Sequence, residues 1–277
     1  MPTFKIIVAY DGTDYVGWQR QANGVSIQAL IEESLRALDE RDVTVHGAGR
    51  TDAGVHAFGQ VAAFALNRSL PPAALVKAIN ARLPAAIRVL SAEEVPSDFQ
   101  PRFAARDKTY RYRIWNAETI SPFESRYAWH IGGDLNVPAM RSAAALLVGC
   151  HDFAAFQAAG SPTATTEREI LALTIEGDER VPAAPATHRA GLHHPRCEGD
   201  QSAGALIACE VTGNGFLRHM VRTIVGTLVE VGRGRQAVEW VGHVLATRER
   251  SMAGPTAPPQ GLFLVGVSYG ALLADKP

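Results

Sequence analysis

Residues 108–115 read KTYRYRIW, and the side chains sort strictly by parity: Tyr110, Tyr112 and Ile114 at one, Thr109, Arg111 and Arg113 at the other. A helix, with a period near 3.6, cannot gather that set on one face, whereas a strand sends alternate residues to opposite sides. The stretch predicts a strand with one face in a core and two guanidinium groups on the other. A strand must pair, so the chain has to supply a sheet around it.

It does so on both sides. The first third reads β-α-β-β-α-β: a strand FKIIVAY (4–10), a helix SIQALIEESLRAL (26–38) behind a Ser cap, strands VTVHG (43–47) and VAAFAL (61–66), a helix PPAALVKAINARL (71–83) opened by prolines, and a strand near 87–92. Residues 93–107 read as a connector. Beyond 108–115 come a helix near 138–149, strands near 170–176 and 204–212, helices near 215–232 and 236–247, and a closing strand LFLVGVSY (262–269). No repeat of fixed period is legible. Hairpins mixed with helices predict an α+β protein rather than a doubly wound one. Two halves are expected, 1–105 and 106–277. The second carries an exposed, aperiodic insertion at about 177–203, rich in Ala, Pro, Gly and polar residues.

Composition narrows the class. A chain of 277 residues that is 47% hydrophobic is neither fibrous nor disordered. With no leader-like start and no apolar run approaching about 18 residues, a cytoplasmic protein without membrane spans is expected. Cys150, Cys197 and Cys209 form no C-x-x-C pair and read as reduced. His188, His193, His194 and Cys197 match no common ligand spacing, so no metal is expected. The net charge of −1 conceals two basic clusters. Arg102, Arg106, Lys108, Arg111 and Arg113 face only Asp107; Arg218, His219, Arg222, Arg233 and Arg235 follow at 218–235.

The chemically suggestive stretch is GAGRTDAGVHA (47–57), where Arg50 and Asp52 stand among small residues. Gly47, Gly49 and Gly54 would let a flat ligand reach Asp52; an Asx-turn, in which Asp52 caps its own backbone, is the alternative. On the helix near 215–232, Met220, Val221, Ile224, Leu228 and Val231 make a buried stripe, with Arg218 and Arg222 a turn apart on its flank. An arginine there calls for a carboxylate, unless it snorkels to the surface. Asp11 and Asp14 lie on a separate loop, so the paired carboxylates of a glycosidase are missing, as are G-x-S-x-G and G-K-[ST] motifs.

Six segments in order, YDGTDYVGWQRQ (10–21), GAGRTDAGVHA (47–57), FAARDKTYRYRI (103–114), GCHDFAAF (149–156), GNGFLRHMVRTIVGTLVEVGRG (213–234) and APPQGLFLVGVSY (257–269), resemble the tRNA pseudouridine synthases of the A type. The departure is the insertion at 177–203, where such proteins have a short turn. The resemblance implies the pseudouridine synthase fold: two related α/β halves sharing a mixed, largely antiparallel sheet, with the active cleft between them. It also implies the reaction. The N1–C1′ bond of a uridine in the anticodon arm, at about positions 38 to 40, is cut, the base turns, and it rejoins through C5. No atom is gained or lost, which suits a lone carboxylate and no cofactor.

Under the same resemblance Asp52 is the catalytic aspartate, either taking a proton from C2′ or adding covalently. Arg50 fills the place of the extruded uridine, Tyr110 lies against the uracil, Arg222 pairs with Asp52, and Leu262 and Leu264 form an apolar wall. Trp18, Gln19, Arg20, Arg102, Arg106, Lys108 and Arg218 are expected to meet RNA, with phosphate contacts foremost, in a homodimer whose subunits share each tRNA. Two rivals are weaker: a non-catalytic RNA-binding protein should show a damaged catalytic loop, and a phosphate-binding metabolic enzyme a nearby Lys or metal ligands.

Overall fold

A computed structural model of the chain describes residues 1–160, 163–180 and 205–270. In order the elements are β1 (Thr3–Tyr10), α1 (Ile27–Asp39), β2 (His46–Gly47), β3 (His56–Ala65), α2 (Pro72–Asn80), β4 (Ile87–Val95), β5 (Ala105–Asn116), β6 (Trp129–Ile131), α3 (Val137–Ala145), β7 (Gly149–Asp152), β8 (Glu167–Arg180), β9 (Ala205–Gly213), α4 (Met220–Gly232), α5 (Trp240–Thr247) and β10 (Leu262–Tyr269).

All ten strands join one sheet, ordered β4-β1-β3-β10-β5-β9-β8-β7, with β2 on β3 and β6 on β5. Within it a pattern occurs twice. The run β1-α1-β2-β3-α2-β4 arranges its strands fourth, first, third, second, and β5-α3-β8-β9-α4-β10 does the same. The halves meet where β10 lies parallel to β3, Phe263 opposite His56 and Leu264 opposite Ala57. Packing seals this seam: the Phe263 ring stacks with His56 at 4.6 Å and with Phe58 at 4.9 Å. The β5–β6 pair is also parallel and the other pairs are antiparallel.

The alternation in β5 resolves as its chemistry requires, with Tyr110, Tyr112 and Ile114 buried. Arg111 and Arg113, on the other face, pair with Glu210 and Glu124. In α1, Ile27, Ile31 and Leu35 face the core, and Ser26 Oγ caps the start by accepting from Ala29 N. The stripe of α4, Met220, Val221, Ile224, Leu228 and Val231, is buried.

Several boundaries differ from expectation. The helix expected from 215 starts at Met220, because Met220 N donates to Leu217 O and His219 sits in the left-handed region, so Arg218 precedes the helix instead of flanking it. The helix expected to reach 149 stops at Ala145, ahead of left-handed Gly149, and the chain turns into β7. The helix expected from 236 begins at Trp240. Of residues 43–47 only His46 and Gly47 pair, whereas β3 begins at His56, ahead of the expected 61. The 93–107 connector is strand at both ends. At 177–203 the first four residues belong to β8; the remainder, with the weighed His188, His193, His194 and Cys197, lies outside the described residues.

Candidate active site

The loop between β2 and β3 is pinned almost residue by residue. Ala48 N donates to Val61 O at 2.8 Å, and Ala48 O accepts Lys108 Nζ at 2.7 Å. Gly49 O accepts Gln60 Nε2 at 3.0 Å, the Tyr10 and Thr51 hydroxyls share a 2.8 Å hydrogen bond, and Thr51 O accepts Trp18 N at 3.1 Å. Left-handed Gly54 lets the chain turn into β3. Arg50 and Asp52 alone project charge from this frame. Arg50 is exposed, without an ion-pair partner among the described residues.

The carboxylate of Asp52 does not cap its own backbone. Its Oδ2 accepts Arg222 Nη1 at 3.1 Å across 170 residues of sequence, and His219 Nε2 stands 3.5 Å from the same oxygen. Arg222 rises from α4 with its side chain 13% exposed, and its Nε donates to Ala257 O at 2.7 Å. The expected Asp52–Arg222 pairing is thus present in the geometry. His219 is the residue the sequence reading placed only in a basic cluster; its spacing of three before Arg222 was the available signal.

Tyr110 lies beside this pair. Its ring is buried and meets Phe216 edge-on at 5.2 Å, another neighbour the sequence did not single out. Burial, with the nearby Tyr10 and Asp52, pushes its phenol well above the usual range. The hydroxyl has no hydrogen-bond partner among the described residues. A Cβ added to Gly49 would stand 4.0 Å from that oxygen and 3.6 Å from Lys108 Nζ, so Gly49 borders the same space. Leu264 is opposite Tyr110 in the β10–β5 register and Leu262 is opposite Tyr112; both are buried.

Gly47 serves another purpose than the ligand access expected of it: a Cβ there would fall 2.5 Å from Trp18 Nε1. Trp18 itself corrects an expectation, since it is 3% exposed within the core and its side chain is not on an RNA-facing surface. Gln19 and Arg20 are exposed, with Arg20 ion-paired to Glu32 at 2.7 Å. Arg102, Arg106 and Arg218 are exposed, and Arg102 lies 5.8 Å from the ring of Phe103, itself 81% exposed. Burial, then the charge of Arg102, brings the Lys108 amine down to about 8. Arg233 and Arg235 pair with Glu230. Among the described residues no cluster of three His, Cys, Asp or Glu could hold a metal, and no helix is long and apolar enough to cross a membrane.

Chemically, the site offers one carboxylate held from one side, an aromatic ring beside it and an exposed arginine in the same loop. The halves assemble it jointly, Asp52 from the first, Arg222, His219 and Tyr110 from the second.

Comparison with known proteins gives the family. A family profile described as tRNA pseudouridine synthase matches residues 6–104 and 143–270. The tRNA pseudouridine synthase A of Myxococcus xanthus is 46% identical over 269 residues, covering 97% of this chain and 92% of its own. Those of Geobacter sulfurreducens and Syntrophotalea carbinolica are 45% and 44% identical, each again over 97% of this chain and over 100% and 97% of their own lengths. The chain belongs to the tRNA pseudouridine synthase family.

Proposed function

We infer that this chain isomerises uridine to pseudouridine in the anticodon arm of tRNA, at about positions 38 to 40, with Asp52 as the catalytic residue. The observation that carries the reading is the Asp52–Arg222 pair, formed across the junction of the two halves within a sequence of family motifs. The reaction breaks N1–C1′, rotates the uracil and forms C5–C1′; N1 gains a proton and C5 loses one. Nothing is hydrolysed, so a second carboxylate to activate water is unnecessary. Asp52 either removes the C2′ proton or adds covalently, and both routes need it ionised beside Arg222.

The remaining roles follow from position. Arg50, exposed beside Asp52, occupies the gap left by the flipped nucleotide. Tyr110 stacks on the uracil and Leu264, its neighbour in the sheet, backs it, with Leu262 in the same wall. Gln19, Arg20, Arg102, Arg106, Lys108 and Arg218 contact RNA, chiefly its phosphates. The halves are taken as 1–105 and 106–277. We carry over the homodimer from the family resemblance and keep the cytoplasmic location expected from the sequence; molar mass by light scattering tests the former.

The deciding experiment is tritium release from tRNA carrying C5-tritiated uridine, which isomerisation gives and mere binding does not. No release from a folded, tRNA-binding protein would leave only an RNA-binding role. Because the chemistry involves no redox step and no activated water, release is expected to persist in excess chelator. Loss reversed by one added metal would refute that part.

A further inference from the structure

Beside Asp52, the backbone is held in an uncommon conformation at a single non-glycine residue. His219 has φ 65° and ψ −3°, a left-handed geometry costly for a residue with a Cβ. The other described non-glycine residues with positive φ, Glu40 and Arg248, end helices, where a left-handed residue is an ordinary stop. His219 instead precedes a helix and provides no side-chain cap for it. Three backbone hydrogen bonds impose the conformation: Met220 N to Leu217 O at 3.1 Å, Ala158 N to Arg218 O at 2.9 Å, and Thr223 N to His219 O at 2.9 Å. The consequence is that the imidazole faces Asp52, with Nε2 3.5 Å from the Oδ2 that Arg222 also holds.

We propose that His219 is a positioning residue for Asp52: its Nε2–H and the Arg222 guanidinium together fix Oδ2, leaving Oδ1 as the oxygen offered to the substrate. The proposal rests on the reading of Asp52 as the reactive carboxylate. The ring's surroundings suit the role. Burial lowers its pKa, Arg222, Arg218 and Arg250 push the same way, and these together outweigh the opposing pull of Asp52. At neutral pH the ring is then an uncharged donor that does not displace Arg222 from its ion pair. The separation exceeds a hydrogen bond, as contacts to catalytic groups often do without substrate, and such contacts tighten in the substrate complex. The turn by itself would be better served by glycine, which takes positive φ freely. What histidine adds is the ring.

The test compares His219→Gly, His219→Gln and Asp52→Asn in single-turnover tritium release at saturating protein, alongside tRNA binding and melting. His219→Gly is expected to slow release about tenfold, the loss of one hydrogen bond to a charged group. Its tRNA Kd should stay within about twofold, because the phosphate contacts lie elsewhere. Its Tm should be no lower than wild type, because strain is relieved. Added imidazole, or Gln, whose Nε2 reaches the same place, should recover much of the rate. A His219→Gly enzyme within about twofold of wild type, or a loss that neither imidazole nor Gln reduces, overturns the proposal. An active Asp52→Asn would instead remove the underlying reading of Asp52, whereas an inactive one beside an active His219→Gly removes this inference alone.

Discussion

Arg222 serves two acceptors with one fork, Asp52 Oδ2 through Nη1 and Ala257 O through Nε. A lysine brings a single point of charge and cannot reproduce that geometry. Arg222→Lys is therefore expected to fold and bind tRNA yet isomerise slowly, whereas Arg222→Ala should also lose about 2–4 kcal/mol by stranding a half-buried carboxylate. Urea melts and single-turnover rates separate the two; an Arg222→Ala enzyme with wild-type rate and stability would show the pair to be incidental. At Tyr110 the ring is buried but the hydroxyl is unpartnered among the described residues, so its partner is expected on the substrate. Tyr110→Phe should bind tRNA as wild type and turn over far more slowly, and Tyr110→Leu should lose affinity as well. A fully active Phe variant would leave only the stacking role. Lys108 gives a pH signature, since its amine loses its charge as pH rises through about 8. Its share of tRNA affinity should fade above that pH. Because the folded pKa lies below the unfolded one, the unfolded chain binds more protons in that window, and the fold gains stability from this group as pH rises. Binding and melting measured from pH 7 to 9, with Lys108→Met as control, should thus trend in opposite directions for this residue. An arginine on an apolar helix calls for a carboxylate, and the resemblance of the motifs to the family made Asp52 and Arg222 legible as the pair. It misassigned Trp18, since aromatic residues in a polar loop read alike whether the loop folds inward or outward.

At the scale of elements, α4 positions the arginine only because its backbone lies against residues 254–257. A Cβ on Gly226 would stand 1.7 Å from Pro255 O. The contact is reinforced by Gly254 N donating to Thr227 Oγ1 at 3.0 Å. Glycine to alanine inside a helix ordinarily stabilises by about 1 kcal/mol; here the sign should reverse. Gly226→Ala is expected to cost about 3 kcal/mol, an overpacking penalty, and to draw Ala257 O away from Arg222. The measurement is a melting curve with an isomerisation assay, and a stabilised, active variant would refute the packing argument. Long elements with a clear period, such as β5 and α1, could be read from sequence. The strands β6 and β7 are three and four residues long, too short to carry a period, and exist because neighbouring strands offer them partners, while of the strand expected at 43–47 only the two residues of β2 find one. The start of α4 differs from the expected 215 because FLRH is compatible with a helix and only the left-handed His219 separates it from the helix proper.

The whole molecule repeats one strand order twice without a repeat in its sequence: what recurs is the order and pairing of the elements, not the residues or the connection lengths. Asp52 and Arg222 join the two halves, whose strands meet at the parallel β3–β10 seam, and there are places in the sheet two or more strands away from it. The hairpin of β8 and β9 is such a place: pairing continues to Arg180 opposite Ala205, past the bulge at Gly177. Opposed residues at that position accept a two-residue turn, for which Asn-Gly has the required positive φ at both positions. Replacing residues 181–204 with Asn-Gly is expected to leave isomerisation and tRNA binding unchanged. It should also raise stability by roughly 2 kcal/mol at most, the closure entropy saved by shortening the connection about twelvefold. Calorimetry and tritium release on the shortened chain check both parts. Insolubility, loss of activity or a change in molar mass would show that the segment carries a task in assembly or RNA contact that the seam does not supply.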